Sequence, residues 1–187
     1  MNRLAIWVVG EPGAGKTHLV RQLLGQRPAC LVDGKVKWTV SAYDSMVAAG
    51  TYVGQPFDGA DTVPYDGAKA CLEFWRDAFP DKRVTIFDGD RFSNLGVVEW
   101  VRQQVPDVEC WVVLLETPPE VAQARRVARG SAQNATWVKG RATKAVRFYD
   151  AATALPGVDG LRHPGLDAGW VLALITKRLG REKSSSD

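Results

Sequence analysis

Apolar residues occupy nearly every position from 3 to 9, the pattern of a parallel strand covered on both faces, and the run ends in a glycine-rich turn. Beyond Lys16 the period lengthens: Leu19, Leu23 and Leu24 share one side of a helix that Gly25 terminates. Residues 28–32 read as a second short strand closing on Asp33-Gly34, whereas 35–64, rich in Gly, Asp, Tyr and Thr, hold no sustained period and read as an insertion or substrate loop. Helical spacing returns over 66–79, with Ala70, Phe74 and Ala78 in step, and Pro80-Asp81 stops it before a strand over 84–87. A helix over 95–105, a strand over 109–115, a helix over 119–129 opening at Thr117-Pro118-Pro119, and a helix over 142–151 follow. A short strand within 157–163 and a helix over 168–179 complete the series, and 181–187 read as a disordered, solvated tail.

Strands separated by helices need right-handed crossovers, so the expected fold is α/β, three layers deep, with a mostly parallel central sheet and helices on both faces. At 187 residues and 45% hydrophobic content the chain makes one domain, 1–180, with a substrate-side insertion at 35–65 and a lid or basic region at 117–147. No apolar run approaches the roughly 20 residues that span a bilayer, and no secretory signal opens the chain, so the expectation is a cytoplasmic protein without a membrane partner. No obligate protein partner is read from the sequence. Cys30, Cys71 and Cys110 stand far apart in apolar surroundings and read as reduced core thiols. His18 and His163 have no partners at ligand spacing, which excludes a zinc site or a triad as the reading. A net charge of +3 suits an anionic ligand, and Lys139, Arg141, Lys144 and Arg147 cluster without an intervening acid. Of the seven tryptophans, Trp7, Trp100, Trp111 and Trp170 read as core, while Trp38 and Trp137 look placed for function.

Ligands of such sheets bind at the strand C-termini, and the most specific motif falls there. Gly10-Glu11-Pro12-Gly13-Ala14-Gly15-Lys16-Thr17 matches G-x-x-x-x-G-K-[ST] between a strand and a helix. Its glycines turn backbone N–H groups onto phosphate oxygens, and Gly10, Gly13, Ala14, Gly15, Lys16 and Thr17 are the nucleotide-binding candidates. Lys16 brings a mobile cation to the β- and γ-phosphates, and Thr17 a hydroxyl for Mg²⁺. Asp88, ending the hydrophobic strand at 84–87, fits a Walker B carboxylate and a second metal contact. Gly89 follows it where a hydrolytic motor would place Glu, and no Asn-Lys-x-Asp segment reads guanine, so the cofactors expected are ATP and Mg²⁺ in a phosphotransferase.

Asp88-Gly89-Asp90-Arg91 resembles the Asp-Arg element of nucleoside and nucleoside-monophosphate kinases. The resemblance implies that Asp90 lies near the acceptor hydroxyl and Arg91 near phosphate. Asp33 is a second candidate base, because polynucleotide-kinase-like proteins carry an acceptor-side acid soon after the second strand; the two stay open. Arg125 and Arg129 share a helix face where a kinase lid belongs, and arginines there fork the transferring phosphoryl group. The segments Gly50-Thr51-Tyr52-Val53-Gly54-Gln55-Pro56-Phe57-Asp58-Gly59-Ala60-Asp61 and Thr136-Trp137-Val138-Lys139-Gly140-Arg141-Ala142-Thr143-Lys144 are similar to those of phage-encoded P-loop kinases that phosphorylate 5-hydroxymethylpyrimidines, among them hydroxymethyluracil, in DNA. This implies a DNA-modification role with the modified strand, or a free nucleotide, as substrate. On that reading Tyr52, Phe57 and Tyr65 stack on a base, Asp58 or Asp61 accepts from its ring N–H, and Lys139, Arg141 and Lys144 hold flanking phosphates. A DNA-stimulated ATPase or nucleotide switch is the rival of another class.

Overall fold

The computed structural model describes residues 3–26, 28–41, 45–55, 58–163 and 168–180. Seven strands form one sheet: β1 (Leu4–Gly10), β2 (Ala29–Asp33), β3 (Val36–Val40), β4 (Met46–Ala49), β5 (Val84–Asp88), β6 (Glu109–Leu115) and β7 (Val158–His163). Their spatial order is β2-β3-β4-β5-β1-β6-β7, with every pairing from β4 to β7 parallel. Six α-helices accompany them: α1 (Lys16–Leu24), α2 (Ala68–Ala78), α3 (Leu95–Gln104), α4 (Pro119–Ala128), α5 (Ala135–Thr153) and α6 (Ala168–Gly180).

Period-two alternation along β1 divides the core. Ala5, Trp7 and Val9 face a layer with Trp38 of β3 and Phe87 of β5, covered by Trp75, Val98 and Phe148 from α2, α3 and α5. Leu4, Ile6 and Val8 face the opposite layer of Leu19, Val20, Leu23, Val171 and Ile175, from α1 and α6. With both faces buried, β1 has no room for a polar side chain, which is why it reads as one continuous apolar run. The three-layer α/β architecture is therefore the expected one.

The departure lies in the segment read as an insertion. Val36–Val40 and Met46–Ala49 are strands, and β2 and β3 form an antiparallel hairpin that extends the sheet outward from β4. The parallel strand beside β5 is thus β4, not β2. Asp33, at the C-terminal edge of β2, is exposed and lies four strand spacings from β1, or about 19 Å at about 4.8 Å per spacing. This corrects its assignment as the base that follows the second strand of the parallel series. α5 also begins seven residues before the predicted start at 142, with the Asn134 side chain accepting from Trp137 N as its cap. Trp38 is fully buried, its indole N–H donating to Cys71 O at 3.1 Å, so it is a core residue and not a functional one.

Candidate functional site

β1 delivers the chain into the P-loop, and Gly15, in a left-handed conformation, caps α1 so that its amino end faces the loop. Lys16 Nζ donates to Gly10 O and Glu11 O, both at 3.0 Å, and so folds back across the mouth of its own loop. Burial lowers the Lys16 pKa, an effect opposed by Asp88 and Asp61. Thr17, on the first turn of α1, donates to Asp88 Oδ2 at 3.1 Å. Gly10, Gly13, Ala14, Gly15, Lys16 and Thr17 lie together from the end of β1 through one turn to the start of α1, the placement the motif requires.

Asp88 is buried at the end of β5, and Tyr52 donates to the same Oδ2 at 3.3 Å. Desolvation, with a contribution from Asp61, pushes the Asp88 carboxyl up to about 6 despite the opposing pull of Lys16. A buried carboxylate whose charge is this costly, with a hydroxyl beside it, matches the donor set of a hard divalent cation. Among the described residues no group of three or more His, Cys, Asp or Glu could hold a metal ion.

The loop after β4 folds over this pair. Thr51 and Gly59 bridge, with Gly59 N donating to Thr51 O at 2.7 Å, and a Cβ on Gly59 would stand 2.9 Å from Asp88 Oδ2 and 3.1 Å from Thr17 Oγ1. Asp58 is buried and holds the loop: it accepts from Arg21 at 2.6 Å, from Gly54 N at 2.6 Å and from Gln55 N at 3.2 Å. Those partners leave Asp58 an organiser of the loop, not an acceptor for a base. Asp61, three residues on, is exposed and near enough to Lys16, Asp88 and Tyr52 to act on all of them electrostatically.

Tyr52 is 2% exposed, which corrects its assignment as a stacking platform; burial and Asp88 raise its pKa well above the usual phenol value. Phe57 lies outside the described residues. Tyr65 is 74% exposed instead, with the Arg91 guanidinium 3.3 Å from its ring centroid. Arg91 also donates to Val63 O at 2.9 Å and so ties the β5 end to the loop after β4. Asp90 pairs with Arg141 and stands 3.9 Å from Lys144, both on α5. Lys139 is exposed on the same helix.

The arginines of α4 meet the P-loop from its outer side. Arg125 donates to Ala14 O at 3.3 Å and lies 3.5 Å from Gly13 O, and Thr117 Oγ1 donates to Ala14 O at 2.9 Å. Arg126 pairs with Glu11 at 3.4 Å. These bonds occupy the carbonyl oxygens that the loop turns outward when its N–H groups turn inward. Arg125 therefore braces the loop, correcting the expectation that it forks the transferring group. Arg129 is exposed, donates to Arg125 O at 3.3 Å and acts on Lys16 through its charge. Sequence reasoning missed Arg21 as the partner of Asp58, and Arg126 and Thr117 as braces; no spacing rule marks such long-range pairs.

Fold and site together define a P-loop nucleotide-binding protein with the layout of an ATP-dependent kinase. The chain belongs to the family described as AAA domain, whose model matches residues 6–149. No curated protein matches the chain. Among solved structures it is similar to the deoxyadenosine kinase from M. mycoides with bound dATP, at 12% identity and a TM-score of 0.52 over 95% of this chain and 99% of that one. A sugar kinase from Janibacter sp. aligns at 13% identity and TM-score 0.49 over 96% and 95% of the two chains. The shikimate kinase from Acinetobacter baumannii aligns at 15% identity and TM-score 0.46 over 97% and 95%. At these identities the likeness to the deoxyadenosine kinase concerns the fold. Among the described residues, no helix is long and apolar enough to cross a membrane.

Proposed function

We propose that the protein transfers the γ-phosphoryl group of ATP to the hydroxymethyl group of a modified pyrimidine, of the 5-hydroxymethyluracil kind, carried in DNA. The observation that supports the transferase reading is Asp61: from the loop after β4, which folds over Thr17 and Asp88, an exposed carboxylate acts through its charge on both Lys16 and Asp88. Asp90, read with Asp33 as a candidate base from the sequence, is committed to Arg141 and Lys144, which supports a role in fixing α5. On this reading Asp61 takes the proton of the acceptor hydroxyl as the new phosphorus–oxygen bond forms. Lys16 leaves the Gly10 and Glu11 carbonyls to neutralise the β- and γ-phosphates, while P-loop N–H groups hold the departing diphosphate. Thr17 and Asp88 would hold Mg²⁺, which supplies charge neutralisation between the phosphates. Arg129, exposed and close enough to Lys16 to act on it through its charge, can approach the transferring group, and Tyr65, held on one side by Arg91, offers the acceptor base its other face.

The modified-base assignment is supported by the resemblance of residues 50–61 and 136–144, and it requires a base presented outside a duplex. A free nucleotide is the second reading, supported by the resemblance of Asp88-Gly89-Asp90-Arg91 to the Asp-Arg element of nucleoside and nucleoside-monophosphate kinases. γ-Labelled ATP incubated with hydroxymethyluracil-containing DNA, unmodified DNA and the free hydroxymethyl nucleotide separates these. Label confined to the modified DNA is the expected result. Label on the free nucleotide alone moves the acceptor to a monomer, and phosphate release without a labelled acceptor sinks the transferase reading in favour of an ATPase or switch.

A further inference from the structure

Beside the β5 end, the first turn of α3 and one face of α5 line an open cavity of about 560 Å³. Lys139, Lys144 and Arg147 line it together with the hydroxyl residues Thr136 and Thr143, and no acidic residue does. Ser93 and Lys144 also line a smaller recess that reaches Gly10, Gly89 and Asp90. The two share these residues and so lie along one path of side chains from the edge of the P-loop outward along α5. Asp90, paired to Arg141 and Lys144, fastens the inner end of that path to β5.

We propose that this groove holds the sugar–phosphate backbone of a single-stranded polynucleotide acceptor next to the nucleotide being phosphorylated. The inference rests on the reading of the acceptor as a nucleotide in a strand. Lys139 and Arg147 are eight residues apart on α5, about 12 Å at about 1.5 Å per residue, so the cations address an extended row of phosphates and not one point. Both are exposed, so their charges have solvent-facing reach. Exposed aromatics accompany them: Trp137, 39% exposed with Arg141 5.0 Å from its ring centroid, and Tyr65 beneath Arg91. Cations tracking a backbone and aromatic faces for unstacked bases are the pattern by which single strands are bound without regard to sequence.

The test is fluorescence polarisation of a short, unmodified, fluorescein-labelled single strand, without ATP, across a series of NaCl concentrations. With about three phosphates neutralised, log K against log[NaCl] should fall with a slope of about −2, at about −0.7 per phosphate on single strands. Lys139→Gln combined with Arg147→Gln removes two of these and should bring the slope to about −0.7, and Lys139→Glu with Arg147→Glu should abolish binding. An unchanged slope in the glutamine variant would overturn the proposal. So would equal affinity for a duplex of the same sequence, or displacement of the strand by thymidine monophosphate at equal phosphate concentration, which would make the groove a monomer's phosphate site. Because the probe carries no modified base, failure of the hydroxymethyl assignment in the labelling assay leaves this result standing, and failure here leaves that assay unaffected.

Discussion

Replacing Asp88 with Asn separates what this carboxylate costs the fold from what it contributes to nucleotide chemistry. Asp88 is 3% exposed at the end of β5, and burial raises its carboxyl from 3.8 to about 6. The folded protein thus holds this proton more tightly than the unfolded chain does. Its contribution to stability is fully present below the unfolded value and is lost as pH rises through 6. The difference of about two pKa units corresponds to about 3 kcal/mol. An amide is neutral throughout and its oxygen still accepts from Thr17 and Tyr52. Asp88→Asn should therefore match the wild type below about pH 4 and exceed it by about 3 kcal/mol near pH 8, or about 6–12 °C in Tm for a chain of this size. Thermal unfolding in EDTA without nucleotide, from pH 4 to 8, measures this directly. The same variant should lose about 100-fold or more in kcat/KM with Mg·ATP, since a neutral amide is a poor ligand for a hard cation. A stability gain independent of pH, or a loss at pH 8, would refute the reasoning.

Gly59→Ala places a methyl group 2.9 Å from Asp88 Oδ2 at a residue with φ +98°, so it should cost about 1–3 kcal/mol and lower activity at least tenfold, read by denaturant unfolding and labelled-phosphate transfer. Asp58→Ala strips Arg21 and the Gly54 and Gln55 amides of their acceptor, and about 2–3 kcal/mol should be lost while nucleotide-free α1 stays folded by circular dichroism. Trp38→Ala opens the core beside Phe79 and Phe87 and should cost about 3–5 kcal/mol, yet the acceptor KM measured well below the variant's Tm should not change; a selective rise in KM would return Trp38 to the substrate. Asp61→Asn should lower kcat about 100-fold or more, with Asp90→Asn acting mainly on KM; the reverse split in steady-state kinetics would exchange their roles.

Much of the molecule was legible because its signals are local. Continuous apolar runs announced β1, β5 and β6, and the strand predicted at 109–115 is β6 to the residue. The glycine, lysine and threonine spacing located the phosphate loop without any help from tertiary structure. β4 escaped because it is four residues long and spends half of that on alanine, a weak strand former, and β3 because Lys37 and Thr39 leave it no continuous apolar run. That miss carried Asp33 with it, since its role came from a resemblance that places an acid soon after the second strand, and here the second strand is the edge of the sheet. Arg125 failed for another reason. Spacing assigns a residue to a helix face but not to the surface that the face meets, and α4 meets the outward carbonyls of the P-loop. Tyr52, in a polar segment, looked like a surface aromatic, but the loop folds inward there to bring its hydroxyl to Asp88.

The residue after Asp88 ties these elements to the choice between transfer and hydrolysis. Gly89 has φ +70°, and a Cβ there would have only Lys16 Cε for a neighbour, at 3.9 Å. Space for a side chain exists, so what excludes the water-activating Glu of a motor is the backbone itself, held in a left-handed conformation that non-glycine residues rarely adopt. The exposed carboxylate that acts on Lys16 and Asp88 comes instead from Asp61, on the loop that Asp58 and Arg21 lock over Thr17. On the proposed reading, an acid supplied by a separate loop is shielded from water by the acceptor that enters beneath it, whereas one attached to the end of β5 would lack that shield. The division of labour between Asp88 and Asp61 therefore favours a protein whose phosphoryl group leaves ATP only when a hydroxyl is in place to receive it.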